Sequence, residues 1–329
     1  MSARDAVLGA LRDGERFLLV THEGPDGDAL GSLVGMHSLL RALGKDSVMF
    51  MAPDEFPLPY EYRSLELDGL VTAPPADLGD RTVVFLDCGN IDRNPADELK
   101  ASGGPVLNID HHHDNTHFGT IDHVVPDASC TAEIVWDLAG ELGVRPSPEM
   151  AEALYMGLVT DTGRFMYENT GRRAHVMAAD LIDAGVDVQG VYRRLYEGVP
   201  QAKLDLLARG LANVERYEGG LLTVTQLSRG DYEAVGAEEA YSEGVVDHLR
   251  ALEGTAVAAL VRDRLGSGGA GARKVSLRAV DDRVDVSAIA RAQGGGGHRR
   301  AAGFTTALEW EELVTFLRGA VSTALAPVS

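Results

Sequence analysis

Short uncharged apolar runs alternate with longer amphipathic stretches over the first two-thirds of the chain. Residues 17–20 (FLLV) predict a buried strand, because four apolar residues in a row leave neither face for water. Residues 28–43 predict a helix: Leu30, Leu33, Val34, Leu40 and Leu43 recur at helical spacing, and Gly44 stops the run. Residues 46–51 (DSVMFM), 82–86 (TVVFL) and 105–109 (PVLNI) read as further strands, and 131–142 and 148–159 as further helices. This alternation predicts a mostly parallel sheet with helices on both faces.

The pattern then changes. From about residue 171 to 214 it is helical throughout, with glycines as breaks. From Gly220 on, LLTVTQL, TAVAALV and KVSLRAV read as strands with helical pieces between and after them. Residues 266–272 (GSGGAGA) read as a flexible hairpin loop. The expected organisation is an α/β domain over 1–190, a helical connector over 191–216 and a smaller α/β domain over 217–329. No internal repeat is visible.

The 329 residues are 45% apolar and 24% charged, a globular composition with ample core material. Thirty basic against fifty acidic residues leave a net charge of −20. Such a chain has no general attraction for duplex nucleic acid or an anionic membrane, so any phosphate must be handled locally. The two cysteines, Cys88 and Cys130, exclude a disulfide framework and a four-cysteine zinc site, and fit a reducing compartment. The start of the chain carries scattered charges and no apolar signal region, and no uncharged run approaches a membrane span. The expected location is the cytoplasm.

Acidic and histidine residues gather just past the ends of apolar elements. FLLV runs into His22, Asp26 and Asp28; TVVFL runs into Asp87; PVLNI runs into Asp110, His111, His112 and His113; LYMGLVT runs into Asp161. In open α/β sheets ligands bind outside the carboxyl ends of the strands, so the fold would deliver three of these clusters to one edge. The fourth is expected to converge with them. Six groups are candidate metal ligands: His22, Asp26, Asp28, Asp87, His111 and Asp161. Their carboxylates cannot all be ionised together without compensating positive charge. Two divalent cations about 3.5–4 Å apart, bridged by one carboxylate and by a water or hydroxide, would use all six. Carboxylates with some imidazole favour Mn²⁺ or Mg²⁺ over Zn²⁺, and Mn²⁺ is the expectation.

Taken singly, each residue has an ordinary explanation. An aspartate at a strand end is usually a turn residue or a helix cap, and Asp161 in TDTG reads as a helix stop. A lone His22 would be a core histidine, and HHHD a solvated loop. The joint occurrence, in order and at element ends, is what outweighs these readings.

The motifs that carry these residues resemble those of the DHH phosphoesterases. HEGPDGDALGS resembles the first motif, VVFLDCGN the second, NIDHHHDNTHFG the Asp-His-His signature and VTDTGRFMYENT the fourth. GGGGHRRAAGF, near the end, resembles the Gly-Gly-Gly-His motif of the associated DHHA1 domain. The resemblance covers nearly the whole chain, with the motifs in family order. It implies that His22, Asp26 and Asp87 hold one cation, and that Asp28, Asp87, His111 and Asp161 hold the second, with Asp87 bridging. It also implies that His112 meets the scissile phosphate or the leaving oxygen, and that Asp110 orients the histidines. Gly295, Gly296, Gly297 and His298 would contact the nucleotide, and Arg278 a phosphate. The glycines would leave the backbone open to an anion. One departure is visible: Gly24 stands where the family has asparagine. His113 is an additional histidine expected to face solvent, as are Arg299 and Arg300.

The resemblance is strongest to stand-alone, two-domain members, which are bifunctional oligoribonucleases and pAp phosphatases. The implied activity is hydrolysis of short oligoribonucleotides of two to five nucleotides, including linear dinucleotides such as pApA, and dephosphorylation of pAp to AMP. A cleft between two domains and a −20 charge both favour such short substrates over long duplexes. Two alternatives stand beside this: a phosphodiesterase for cyclic dinucleotides such as c-di-AMP, and a nucleotide-binding module without catalysis. The second would be expected to have lost ligands, and all six are present. A homodimer through an exposed sheet edge is compatible with the pattern, but no residue specifies it.

Overall fold

The computed structural model describes residues 2–63, 65–94, 97–100, 104–265 and 272–326. The chain forms two compact units, Met1–Glu197 and Gly198–Ser329. The residues read as a connector hold the end of one helix in the first unit and a further helix and short strand in the second. No helix among the described residues is long and apolar enough to cross a membrane.

The first unit contains strands β1 (Arg16–Val20), β2 (Asp46–Phe50), β3 (Leu70–Val71), β4 (Thr82–Leu86), β5 (Val106–Asp110) and β6 (Ile121–Val124). All pair in parallel, in the order β3-β2-β1-β4-β5-β6. The order reverses between β1 and β4, which is where an open α/β sheet offers its ligand crevice. The helices are α1 (Ala3–Asp13), α2 (Gly27–Ala42), α3 (Asp97–Lys100), α4 (Thr131–Glu141), α5 (Pro148–Asp161), α6 (Arg172–Asp183) and α7 (Val188–Tyr196).

The central strands are apolar without alternation because both faces are covered. Phe17 and Leu19 of β1 and Val84 and Leu86 of β4 enter the main core with α2, α4 and α5. Leu18, Val20, Val83 and Phe85 enter a smaller core on the other face. That second face is covered by Leu99 of α3, by Leu78 and Ile91 of single 3-10 turns and by Phe118 of a loop. The helical cover is therefore thicker on one side than the alternation alone implies. Helix α2 is buried nearly all round, because it lies between the sheet and the α4–α5 layer.

The second unit contains β7 (Glu215–Tyr217), β8 (Leu222–Leu227), β9 (Val257–Asp263), β10 (Arg273–Ala279), β11 (Gly296–Gly297) and β12 (Ala301–Thr306). The sheet order is β11-β12-β10-β9-β8-β7, and β8 and β9 form its one parallel pair among the described residues. Helices α8 (Gln201–Ala212), α9 (Arg229–Val235), α10 (Val245–Arg250), α11 (Val286–Arg291) and α12 (Trp310–Leu325) complete it. Leu313, Leu317 and Val321 of α12, spaced four apart, pack on Val257, Val275, Leu277 and Phe304 of the sheet. Strands β9 and β10 pair antiparallel up to Asp263 and Arg273, and the glycine-rich residues 266–271 expected to join them lie outside the described residues.

Candidate active site

The candidate ligands sit where the first sheet and its helices end. His22 follows β1, Asp87 follows β4, Asp110 ends β5, and Asp161 ends α5 rather than a strand. Asp26 caps α2, its Oδ1 accepting from the backbone N–H of Asp28 at 3.0 Å and of Ala29 at 3.1 Å. Asp28 lies in the first turn of α2 and is 1% exposed. The N-terminus of α4 receives its carboxylate: Thr131 N–H donates to Oδ2 at 2.7 Å and Ala132 N–H to Oδ1 at 2.9 Å. First-turn N–H groups lack partners within their own helix and lie at its positive end, so they suit a buried carboxylate. The Thr131 hydroxyl donates to Asp87 Oδ1 at 3.0 Å. Asp87 itself has a φ of +56°, a left-handed conformation that aspartate tolerates better than most residues.

Close helix packing brings Asp28 towards Asp161. A Cβ at Gly31 of α2 would lie 2.4 Å from the Ala153 carbonyl of α5. One at Gly157 would lie 2.9 Å from Asp28 Oδ1. Only glycine lets the two helices approach this far.

Three groupings result. His22, Asp26 and Asp87 offer ligand atoms that all lie within 4.8 Å of one another; so do Asp28, His111 and Asp161, and so do Asp87, Asp110 and His112. His22 Nδ1 lies 2.8 Å from the Glu23 carbonyl, so Nδ1 carries the proton and Nε2 faces Asp87 Oδ2 at 3.7 Å. His111 Nε2 is 3.6 Å from Asp87 Oδ1, 3.7 Å from Asp161 Oδ2 and 3.8 Å from Asp28 Oδ2, each longer than a hydrogen bond. His112 Nδ1 is 2.7 Å from Asp110 Oδ1, and Asn115 Nδ2 donates to Asp110 Oδ2 at 2.6 Å.

The charges are unbalanced. Burial and the neighbouring charges of Asp87 and Asp161 push the Asp28 carboxyl well above the usual range. Burial pushes Asp161 up to about 6, with the His111 ring opposing and the Asp26 and Asp87 charges adding. Burial would raise Asp87 too, but the His22 contact and the charges of His112 and His111 outweigh it and hold Asp87 well below the usual range. Burial would depress His112, but Asp110 and then Asp87 raise it to about 9. Converging carboxylates of which some resist ionisation, with imidazole nitrogens turned towards them, form a donor set that fits divalent cations.

The profile of the DHH family, N-terminal domain, matches residues 16–158, and that of the DHHA1 domain matches residues 230–323. The bifunctional oligoribonuclease and PAP phosphatase NrnA of Thermus thermophilus is 36% identical over 293 residues, covering 87% of this chain and 83% of that one. The chain belongs to the DHH family. Phosphoesterases of the DHH family are metal-dependent. The Bacillus subtilis protein of the same name is 25% identical, covering 91% of each chain. A solved exopolyphosphatase-related protein from Bacteroides fragilis shares the fold, with a TM-score of 0.85 at 24% identity over 98% of this chain and 96% of that one.

In the DHHA1 unit the glycine motif has a structural use. A Cβ at Gly295 would lie 2.1 Å from the Gly303 carbonyl, and the Gly295 N–H donates to Ala290 O at 2.9 Å. That N–H is spent on α11 rather than turned to an anion. Gly296 and Gly297 pair with Gly303 and Ala302 of β12, and His298 opens the turn into that strand. Arg278 lies on β10 opposite Ala301, with Nε 3.4 Å from Asp247 Oδ1. Arg299 and Arg300 donate to carbonyls of the 280–282 segment. His113 is exposed.

The residues that organise this DHH site without being candidate ligands are Thr131, Asn115 and Asn169. The sequence predicts a helix starting at Thr131, and a helix start is an anion site, but nothing in the sequence pairs that start with Asp28. Gly24, the departure from the family asparagine, has a φ of +60°. Asparagine also visits this region more readily than most residues, so either residue suits the loop. The Gly24 N–H donates to Glu55 Oε2 at 2.8 Å.

Proposed function

We propose that the chain is a metal-dependent phosphoesterase that hydrolyses oligoribonucleotides of two to five residues to mononucleotides and converts pAp to AMP. One observation carries the reading: two ligand sets, His22–Asp26–Asp87 and Asp28–His111–Asp161, lie beside the buried pair Asp110–His112, with Asp87 within reach of both sets. The relative at 36% identity is named for these two activities. His22, Asp26 and Asp87 would hold one cation, and Asp28, Asp87, His111 and Asp161 a second, with Mn²⁺ preferred. Bound there, the cations would neutralise the carboxylates, draw charge from a phosphoryl oxygen and lower the pKa of a water.

The rest falls to the chain's own groups. Hydrolysis adds a water oxygen to phosphorus as the bond to the departing ribose oxygen breaks; the water loses a proton and the departing oxygen gains one. His112, whose charged form Asp110 and Asp87 favour, would be the proton donor to the phosphate or the departing oxygen. Asp110, fixed by Asn115, would hold the ring's orientation through its Nδ1–H. In the DHHA1 unit, Arg278, Gly296, Gly297 and His298 are the groups proposed to meet the nucleotide.

The test compares initial rates with Mn²⁺ on 5′-phosphorylated diadenylate, a 24-residue RNA, pAp and cyclic diadenylate. The reading expects fast AMP release from the dinucleotide and from pAp, and slow attack on the long RNA. Fastest turnover of the cyclic dinucleotide, or none of any substrate, overturns it.

A further inference from the structure

Asn169 lies eight residues past Asp161, beyond the turn that ends α5. Its Nδ2 is 3.1 Å from Asp161 Oδ2, 3.1 Å from the Asp161 carbonyl and 2.8 Å from the Ser129 carbonyl. All three neighbours are acceptors, so the amide must turn its nitrogen towards them; its Oδ1 is buried without a partner among the described residues. Ser129 is itself fixed, its N–H donating to Glu133 Oε2 at 3.0 Å. It stands two residues before Thr131, which holds Asp28 and Asp87. Asn169 therefore ties the end of α5 to the same α4 turn that positions the other two carboxylates.

Asp161 needs such a tie. It sits at the C-terminal end of α5, where the helix dipole repels negative charge, and it faces Asp28 and Asp87. Its side chain is also 21% exposed, so solvent offers the carboxylate a way out. We infer that Asn169 is a positioning residue: it holds Asp161 Oδ2 in line with Asp28 and His111 and so sets the affinity of the second cation position. This rests on the reading of Asp161 as a ligand.

The experiment is a calorimetric titration of Mn²⁺ into the cation-free full chain, for wild type, Asn169→Ala, Asp161→Asn and the double variant, with melting curves of each. Asn169→Ala is expected to weaken one of two binding steps about 10- to 100-fold and leave the other unchanged. In the Asp161→Asn background the same change should add nothing, since Asn169 acts through Asp161. Asn169→Ser, which keeps a donor, should lose less, and it carries the test if the alanine variant does not fold. Unchanged affinity in Asn169→Ala, with Asp161→Asn weakened, overturns this inference alone. Additive losses in the double variant overturn it as well, by assigning Asn169 a purely structural role. Unchanged affinity in Asp161→Asn overturns the ligand reading and this inference with it.

Discussion

His112 Nδ1 and Asp110 Oδ1 are 2.7 Å apart and both side chains are buried. The carboxylate accepts from the Nδ1–H, sets the ring's orientation and favours its charged form, which leaves the Nε2–H as the proton to give. His112→Ala should therefore lower kcat about 10²- to 10⁴-fold on pAp, as expected for loss of a proton donor. Asp110→Asn should lower it about 10- to 100-fold, since the ring survives without its orienting partner. The two losses should not add in the double variant, because the residues act as a unit. Steady-state kinetics of the three variants check this.

Gly31→Ala tests the seam between α2 and α5. The new methyl would meet the Ala153 carbonyl at 2.4 Å, a backbone atom that cannot rotate away. The helices must separate, at a cost of about 1–3 kcal/mol in stability. The separation also moves Asp28 from Asp161, so Mn²⁺ affinity should fall with the melting temperature. A control, Gly140→Ala in α4, where a Cβ meets nothing within 4 Å, should leave the affinity unchanged and the melting temperature equal or slightly higher.

His37 gives a pH dependence away from the site. It is buried in α2, with Nδ1 2.9 Å from Ser47 Oγ and Nε2 without a partner among the described residues, against Gly69. Burial, then the charge of Arg41, lowers its pKa, with Asp68 opposing. The neutral ring is thus the form the fold favours. Its contribution is full above the unfolded value of 6.5 and is lost as pH falls below it. The melting temperature of His37→Leu should decline less than that of wild type between pH 7.5 and pH 5.5. Parallel declines would contradict this.

In the DHHA1 unit the Arg262 guanidinium is buried, meets Glu243 at 2.8 Å and donates to Ser242 Oγ at 2.7 Å. Its charge holds the Glu243 carboxyl down at about 2. Glu243 is half-exposed, so water screens the pair, and Glu243→Gln should cost about 1–2 kcal/mol. The pair's contribution is full above the ordinary glutamate value of 4.5 and is lost as pH falls towards 2, so the variant should unfold less steeply with acid. Acid unfolding followed by circular dichroism measures it.

The central strands and the helices behind them are legible because burial on both faces leaves uninterrupted apolar runs such as residues 17–20 and 83–86. The edge strands are not: β3 has two residues, and β6 (IDHV) sets two polar residues between its apolar ends, so it offers neither a run nor an alternation. Helix α1 carries a sequence signal at its start, the capping box of Ser2 and Asp5, but its scattered charges hide the apolar spacing of Val7, Leu8 and Leu11. The six candidate ligands were legible from their place after apolar elements. What holds them was less so, because the α4 N-terminus that receives Asp28 lies 103 residues away in sequence. The run of glycines from 294 reads as backbone left open to an anion, and only the structure shows Gly295 pressed against β12.

The central claim is that one carboxylate serves two cation positions. Titrating Mn²⁺ into the cation-free chain, as wild type and as Asp87→Asn, tests it most directly. The account predicts two ions per wild-type chain and the loss of tight binding at both positions in the variant, because Asp87 is near His22 and His111 alike. A single ion in the wild type, or a variant that still binds one ion with wild-type affinity, would contradict it.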